Sequence, residues 1–200
     1  MKRTIAGVLL AAFSALAFAQ TPPPPARVRG TVEKLENLVL TVKARDGGTV
    51  NIKLPENYAV VGIGRARLED IGKGKYVGVA SLGQKDGALV ALEVHIFAES
   101  FRGLGEGHYP WDLKPESLMT NANVADVVAV GKDRMLTVQY KGGEKKILVP
   151  TSAEIVSFEP ADRSVLKVGA HVFCVAQRAP DGSLSAGRVN VGLNGITPPM

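Results

Sequence analysis

Apolar and polar residues alternate with a period of two along much of this chain. Val50, Ile52 and Leu54 are interleaved with Thr49, Asn51 and Lys53, and Leu136, Val138 and Tyr140 with Thr137 and Gln139. That period turns one side of an extended strand toward a core and the other outward. It predicts strands over roughly 27–35, 38–44, 49–54, 75–82 and 89–97, with a matching set in the second half. Asp46-Gly47-Gly48 and Lys141-Gly142-Gly143 supply the positive-φ residues that close tight hairpins, as do Asp86-Gly87 and Asp181-Gly182. Pro55 and Pro150 end the third strand of each half, because proline donates no ladder hydrogen bond. Between the third and fourth strands, 66–74 and 160–169 read as a helical turn closed by Gly74 or Gly169.

The halves are copies. Leu40-Thr41-Val42 matches Leu136-Thr137-Val138, Leu54-Pro55 matches Val149-Pro150, and Val77 matches Val172. Asp86-Gly87 matches Asp181-Gly182 and Val94 matches Val189, in the same order. Three strands, a short helical plug and two more strands is the order of an OB-like barrel. The expected fold class is all-β: two tandem five-stranded OB-like β-barrels joined by an irregular insert. The expected division is a signal peptide (1–19), a Pro-rich linker (20–26), a first barrel (27–97), an insert (98–123), a second barrel (124–194) and a tail (195–200).

The ends refine this picture. Lys2 and Arg3 precede an apolar run from Ile5 to Phe18, and Ala17-Phe18-Ala19 has the small-x-small pattern of a cleavage site. The run is shorter than the ~20 residues that span a bilayer. The expectation is a leader that is cut, leaving a periplasmic or secreted protein with no membrane span. Cleavage would remove two of the charges behind the formal +5, and the remaining excess forms no patch denser than a solvated face. The single cysteine, Cys174, allows no internal disulfide, so apolar cores must hold the fold.

Candidate chemistry concentrates in the insert. Residues 101–113 contain the only tryptophan, Trp111, with Tyr109 beside Pro110, three glycines, Glu106, His108 and Asp112. Loops of this length are usually functional or disordered, and aromatic content argues against disorder. The binding residues expected are Glu106, His108, Tyr109, Trp111 and Asp112. The rings would stack on a ligand and the polar groups would contact it. Packing of Tyr109 and Trp111 into a groove between barrels is the plainer alternative. Glu106, His108 and Asp112 also offer O, N and O metal ligands, although one histidine with two carboxylates is a weak signature. Elsewhere, Cys174 and His171 point to opposite faces of one strand, making Cys174 a core residue. His95 is opposite in parity to Val94 and Ile96 and reads as solvent-facing. Glu69-Asp70 and the Glu159/Asp162 pair lie near a helical turn, where acids are ordinary. No nucleophile elbow, Walker loop or zincin helix is present, so no catalytic residue and no cofactor are expected.

Val28-Arg29-Gly30-Thr31-Val32, the Leu-Thr-Val strand, the Gly-Gly turn and the Leu-x-x-Gly before the fourth strand resemble an uncharacterised family of bacterial exported domains with an OB-like barrel. The segment Gly105-Glu106-Gly107-His108 with Pro110-Trp111-Asp112-Leu113 and Met119-Thr120-Asn121-Ala122 resembles a two-barrel subset of it. The resemblance implies periplasmic location and fold, and no activity. Some relatives carry a label tied to metal-uptake transporters, but this chain has no permease-like spans.

The expected function is an exported, non-enzymatic binding module of unknown ligand, using the barrel faces and the insert 101–113. A structural or assembly protein of the cell envelope and a metal-binding accessory protein are the alternatives. An envelope protein, an oligosaccharide or a peptide are the partners considered. Nucleic acid is not expected, since the strands lack interleaved aromatic residues.

Overall fold

The computed structural model describes residues 24–84 and 88–200. The expected leader, most of the Pro-rich linker and the Asp86-Gly87 turn lie outside these residues. Among the described residues no helix is long and apolar enough to cross a membrane.

The chain is all-β. In order the strands are β1 (Ala26–Glu36), β2 (Val39–Ala44), β3 (Thr49–Lys53), β4 (Ala59–Arg65), β5 (Tyr76–Gly83), β6 (Leu89–Phe97) and β7 (Gly107–Pro110). Then follow β8 (Leu118–Val130), β9 (Asp133–Tyr140), β10 (Gly143–Val149), β11 (Glu154–Ala161), β12 (His171–Arg178), β13 (Leu184–Ser185) and β14 (Arg188–Gly192). Gly47 and Gly142 adopt the positive φ their hairpins require, 91° and 113°. Strands β3 and β10 stop before Pro55 and at the residue before Pro150. The two helical turns are single 3-10 turns, Leu68–Asp70 and Arg163–Val165.

Five strands close a barrel in the order β8–β9–β10–β6–β5 and back to β8. Its interior holds Val77, Val79, Val94, Leu136, Val138 and Ile147, with Leu68 and Ile71 of the first 3-10 turn at one end. A second circuit of pairings runs β1–β2–β3–β13–β12 and returns to β1, with the two-residue β13 as its narrowest link. Val32, Leu40, Val42, Ile52, Cys174 and Val189 fill it.

Neither ring is made from one copy. The closed barrel takes its first three strands from the second copy and its last two from the first. The other ring does the reverse, so the pairing does not follow the boundaries 27–97 and 124–194. The crossing is made by β4 and β11, which fall outside the strands expected from the alternation. They pair antiparallel, with Ile63 opposite Phe158, while β4 runs parallel to β14 and β11 parallel to β6. The expected insert also ends early. Residues 118–123 belong to β8, and Val124 occupies the place of Val32, each paired to the valine of its Leu-Thr-Val strand.

A third core lies between the rings. It contains Val61 and Ile63 of β4, Val156 and Phe158 of β11, Tyr76, Phe97, Phe173 and Met200. This layer covers the outward side of β6. The expectation of a solvent-facing His95 fails here: its parity is outward, but that face is packed and His95 is only 4% exposed. Its ring stacks on Phe158 at 4.8 Å between centroids.

Candidate functional site

The insert is ordered by its own glycines and by a short ribbon. After a 3-10 turn at Glu99–Phe101, Gly103 and Gly105 take positive φ and turn the chain back onto β8. Strand β7 pairs there, with His108 opposite Thr120 and Tyr109 opposite Met119. Ser117 closes the following turn, its hydroxyl donating to the Lys114 carbonyl at 2.7 Å. Strand alternation sends neighbouring side chains of β7 to opposite sides. Tyr109 and Trp111 therefore reach one face and His108 the other.

Tyr109 and Trp111 roof a cavity of about 370 Å³ between the two rings. Its floor is the outer face of β1 and β12 of the second circuit and of β14 beside them: Arg27 of β1, Phe173 and Val175 of β12, Arg188 and Asn190 of β14. Its far wall is the outer face of the barrel: Met119 and Asn121 of β8, His95 and Phe97 of β6. Two equivalent cross-strand rows shape it. Arg29, Phe173 and Asn190 form one, and Asn121, Gly78 and His95 the other. A glycine stands where the first row has a phenylalanine. A Cβ at Gly78 would lie 2.6 Å from Asn121 Oδ1 and 3.2 Å from His95 Nδ1, so these two polar atoms converge over a residue without a side chain.

The polar groups here have defined roles. Asn121 Nδ2 donates to the carbonyls of Leu104 and Gly105 and to the Tyr109 hydroxyl, at 3.2, 3.0 and 3.0 Å. Two carbonyl partners fix the amide's orientation. Asn121 Oδ1 then points elsewhere and is buried without a partner. His95 Nε2 is 2.9 Å from Glu93 Oε1, and Glu93 is 1% exposed. Two donors, Trp111 Nε1 and Arg27 Nε, are also buried without hydrogen-bond partners. Native interiors leave few such groups unmatched.

The charged rim is held by arginines. Asp112 accepts two hydrogen bonds from Arg29, at 2.6 and 3.1 Å, and has Arg27 Nε at 3.7 Å. Burial pushes its carboxyl upward, but the hydrogen bond and charge of Arg29, aided by Arg27, outweigh this and hold it below the usual range. The Arg27 guanidinium lies 4.2 Å over the Trp111 ring. Arg188, over the Phe101 ring at 6.0 Å, is lowered by burial alone.

Of the residues expected from sequence, Tyr109 and Trp111 line the cavity and Asp112 fastens its rim. Glu106 and His108 do not join them. Glu106 accepts from the Lys141 backbone amide at 2.9 Å. His108 Nδ1 is 2.8 Å from Thr120 Oγ1, and burial, with Lys145 nearby, lowers its pKa. The metal set Glu106, His108 and Asp112 is thus split over three sites, and no cluster of three potential ligands occurs among the described residues. Sequence reasoning missed His95, Asn121, Arg27, Arg188 and Phe173. Their one signal was an outward parity shared by polar and aromatic residues on several strands.

No family model matches the chain, and neither a curated protein nor a solved structure matches it.

Proposed function

We propose that this chain is an exported, non-enzymatic binding protein and that it holds a small ligand in the cavity beneath the insert. The observation that carries the reading is an aromatic cavity of about 370 Å³ bordered by unmatched buried polar atoms. Small-molecule sites have this size and this character, mostly apolar with a few polar groups that fix orientation. Both strand circuits are read as OB-like barrels, built by exchange of strands between the copies. In both, the third and last strands run parallel. The leader-like start and the resemblance to exported barrel domains support a periplasmic or secreted location. The ligand site then lies on the barrels' outer faces and the insert, as in other OB-like proteins.

Trp111 is the only tryptophan and serves as a built-in reporter. Titration of the full chain with a panel of small aromatic and aliphatic metabolites should give a saturable change in its fluorescence. A ligand at 100 times its dissociation constant adds about 2.7 kcal/mol, a rise in midpoint of roughly 5–11 °C at this size. Phe173→Ala should remove both effects. A panel that moves neither the fluorescence nor the midpoint would refute the reading.

A further inference from the structure

Arginine side chains outnumber acidic ones around the cavity. Its lining carries the side chains of Arg27 and Arg188 and no Asp or Glu side chain. Asp112, the nearest acid at the rim, is taken by two hydrogen bonds from Arg29. Arg27 shares that acid only at 3.7 Å from its Nε, without a hydrogen bond, and carries its guanidinium over the Trp111 ring. Arg188 has no ion pair among the described residues, although it is partly buried. For Arg188, a guanidinium drawn partly out of water without an acid is costly unless something else supplies the charge. Strands β1 and β14 flank β12, so the two arginines reach the cavity from either side of it.

The remaining walls are apolar. Phe97, Phe158, Phe173 and Trp111 present rings, and Val61 and Met119 fill between them. The chain's own tail illustrates the same chemistry. The Met200 side chain is buried among these rings, at 1% exposure, and its main-chain oxygen accepts from Arg29 Nε at 2.7 Å. An apolar group in the cavity with an oxygen acceptor on a rim arginine is therefore an arrangement this site already holds.

We infer that the ligand is a small monocarboxylate with an aromatic or branched apolar body, its carboxylate between Arg27 and Arg188 and its body among the phenylalanine rings. The inference rests on the cavity being a binding site. At the far end, Asn121 Oδ1 is a buried acceptor without a partner, so a hydroxyl or amine on the body would add affinity there. A free acid and the C-terminal residue of a peptide share this chemistry.

Isothermal titration of the full chain decides the matter with 3-phenylpropionate, its neutral counterpart 3-phenylpropionamide, and N-acetyl-glycyl-phenylalanine. The carboxylate should bind at least about tenfold tighter than the amide, the scale of one charge-assisted hydrogen bond. Arg188→Gln should weaken the acid far more than the amide and so erase that preference, while Arg188→Lys should keep most of it. Melting midpoints of both variants serve as the fold control. Tighter binding of the peptide than of 3-phenylpropionate would identify a peptide C-terminus as the source, and weaker binding a free acid. Equal binding of acid and amide, or an Arg188→Gln variant that still prefers the acid, overturns the inference and leaves the cavity reading intact. If none of the three probes binds, the inference fails. If the wider panel is also silent at Trp111, the cavity reading fails with it.

Discussion

Gly78→Ala tests the polar convergence at the cavity wall. Gly78 lies within β5, between Asn121 of β8 and His95 of β6. Its backbone is ordinary strand, so the cost of alanine is steric. The new Cβ would be 2.6 Å from Asn121 Oδ1, 3.1 Å from Phe97 Cε2 and 3.2 Å from His95 Nδ1. Asn121 cannot swing aside without loosening its hydrogen bonds to Leu104, Gly105 and Tyr109. Overpacking of this kind costs about 1–3 kcal/mol, and one weakened hydrogen bond about 1 more. The stiffer unfolded chain offsets about 0.4–1 kcal/mol. The net is a loss of about 2 kcal/mol, which at this chain length lowers the midpoint by about 4–8 °C. Circular dichroism melts of the purified variant read it. Gly72→Ala is the control, because its Cβ would meet nothing within 4 Å and its φ lies outside the left-handed region. In an Asn121→Ala background the closest clash is gone, and Gly78→Ala should cost about 1 kcal/mol less. An unchanged midpoint, or the same cost in both backgrounds, would refute the reasoning.

Other outcomes follow from the same geometry. The Asp112 carboxyl is lowered on folding, so its contribution is present above the unfolded value of about 3.9 and lost as pH falls through the folded one. Acid titration of stability should therefore fall more steeply for the wild type than for Asp112→Asn below about pH 4. Burial pushes the Cys174 thiol up to about 12, so a thiol reagent at neutral pH should label the native chain only as fast as it unfolds; rapid labelling without unfolding would contradict this. Because each ring needs strands from both copies, a fragment of residues 24–115 should fail to melt cooperatively alone. Mixing it with 116–200 should restore the native spectrum, whereas a cooperative melt of either fragment by itself would exclude the exchange.

Much of the local structure was legible in the sequence. The alternation of Val50, Ile52 and Leu54 placed β3 and its inner face, Gly47 and Gly142 placed the hairpins, and Cys174 was correctly a core residue, fully buried. Strands β4 and β11 were missed because Val60-Val61 and Ile155-Val156 are continuous apolar runs rather than alternating ones, and both faces of β4 are buried. Tyr109 and Trp111 were legible as aromatic residues in a glycine-rich insert. The rest of the cavity was not, since its residues come from seven strands, β1, β4, β6, β8, β11, β12 and β14, most of them remote in the chain.

The sequence by itself determined which residues form strands, where they turn and which face of each is apolar, because those depend on neighbours one to four positions away. It also determined that the chain holds two copies of one pattern. Only the tertiary structure decided which copy's strands pair with which. The copies share their inward residues, so β1–β3 present an equally good edge to the last strands of either half. The choice was made by β4 and β11, which are extended. At about 3.3 Å per residue, the seven residues of β4 carry the chain roughly 20 Å onward into the other ring. That exchange brings the outward faces of β6, β12 and β14 together. Parity alone marked His95 as outward; what lay outside it, water or a second packed layer, was settled by strands far away in the sequence.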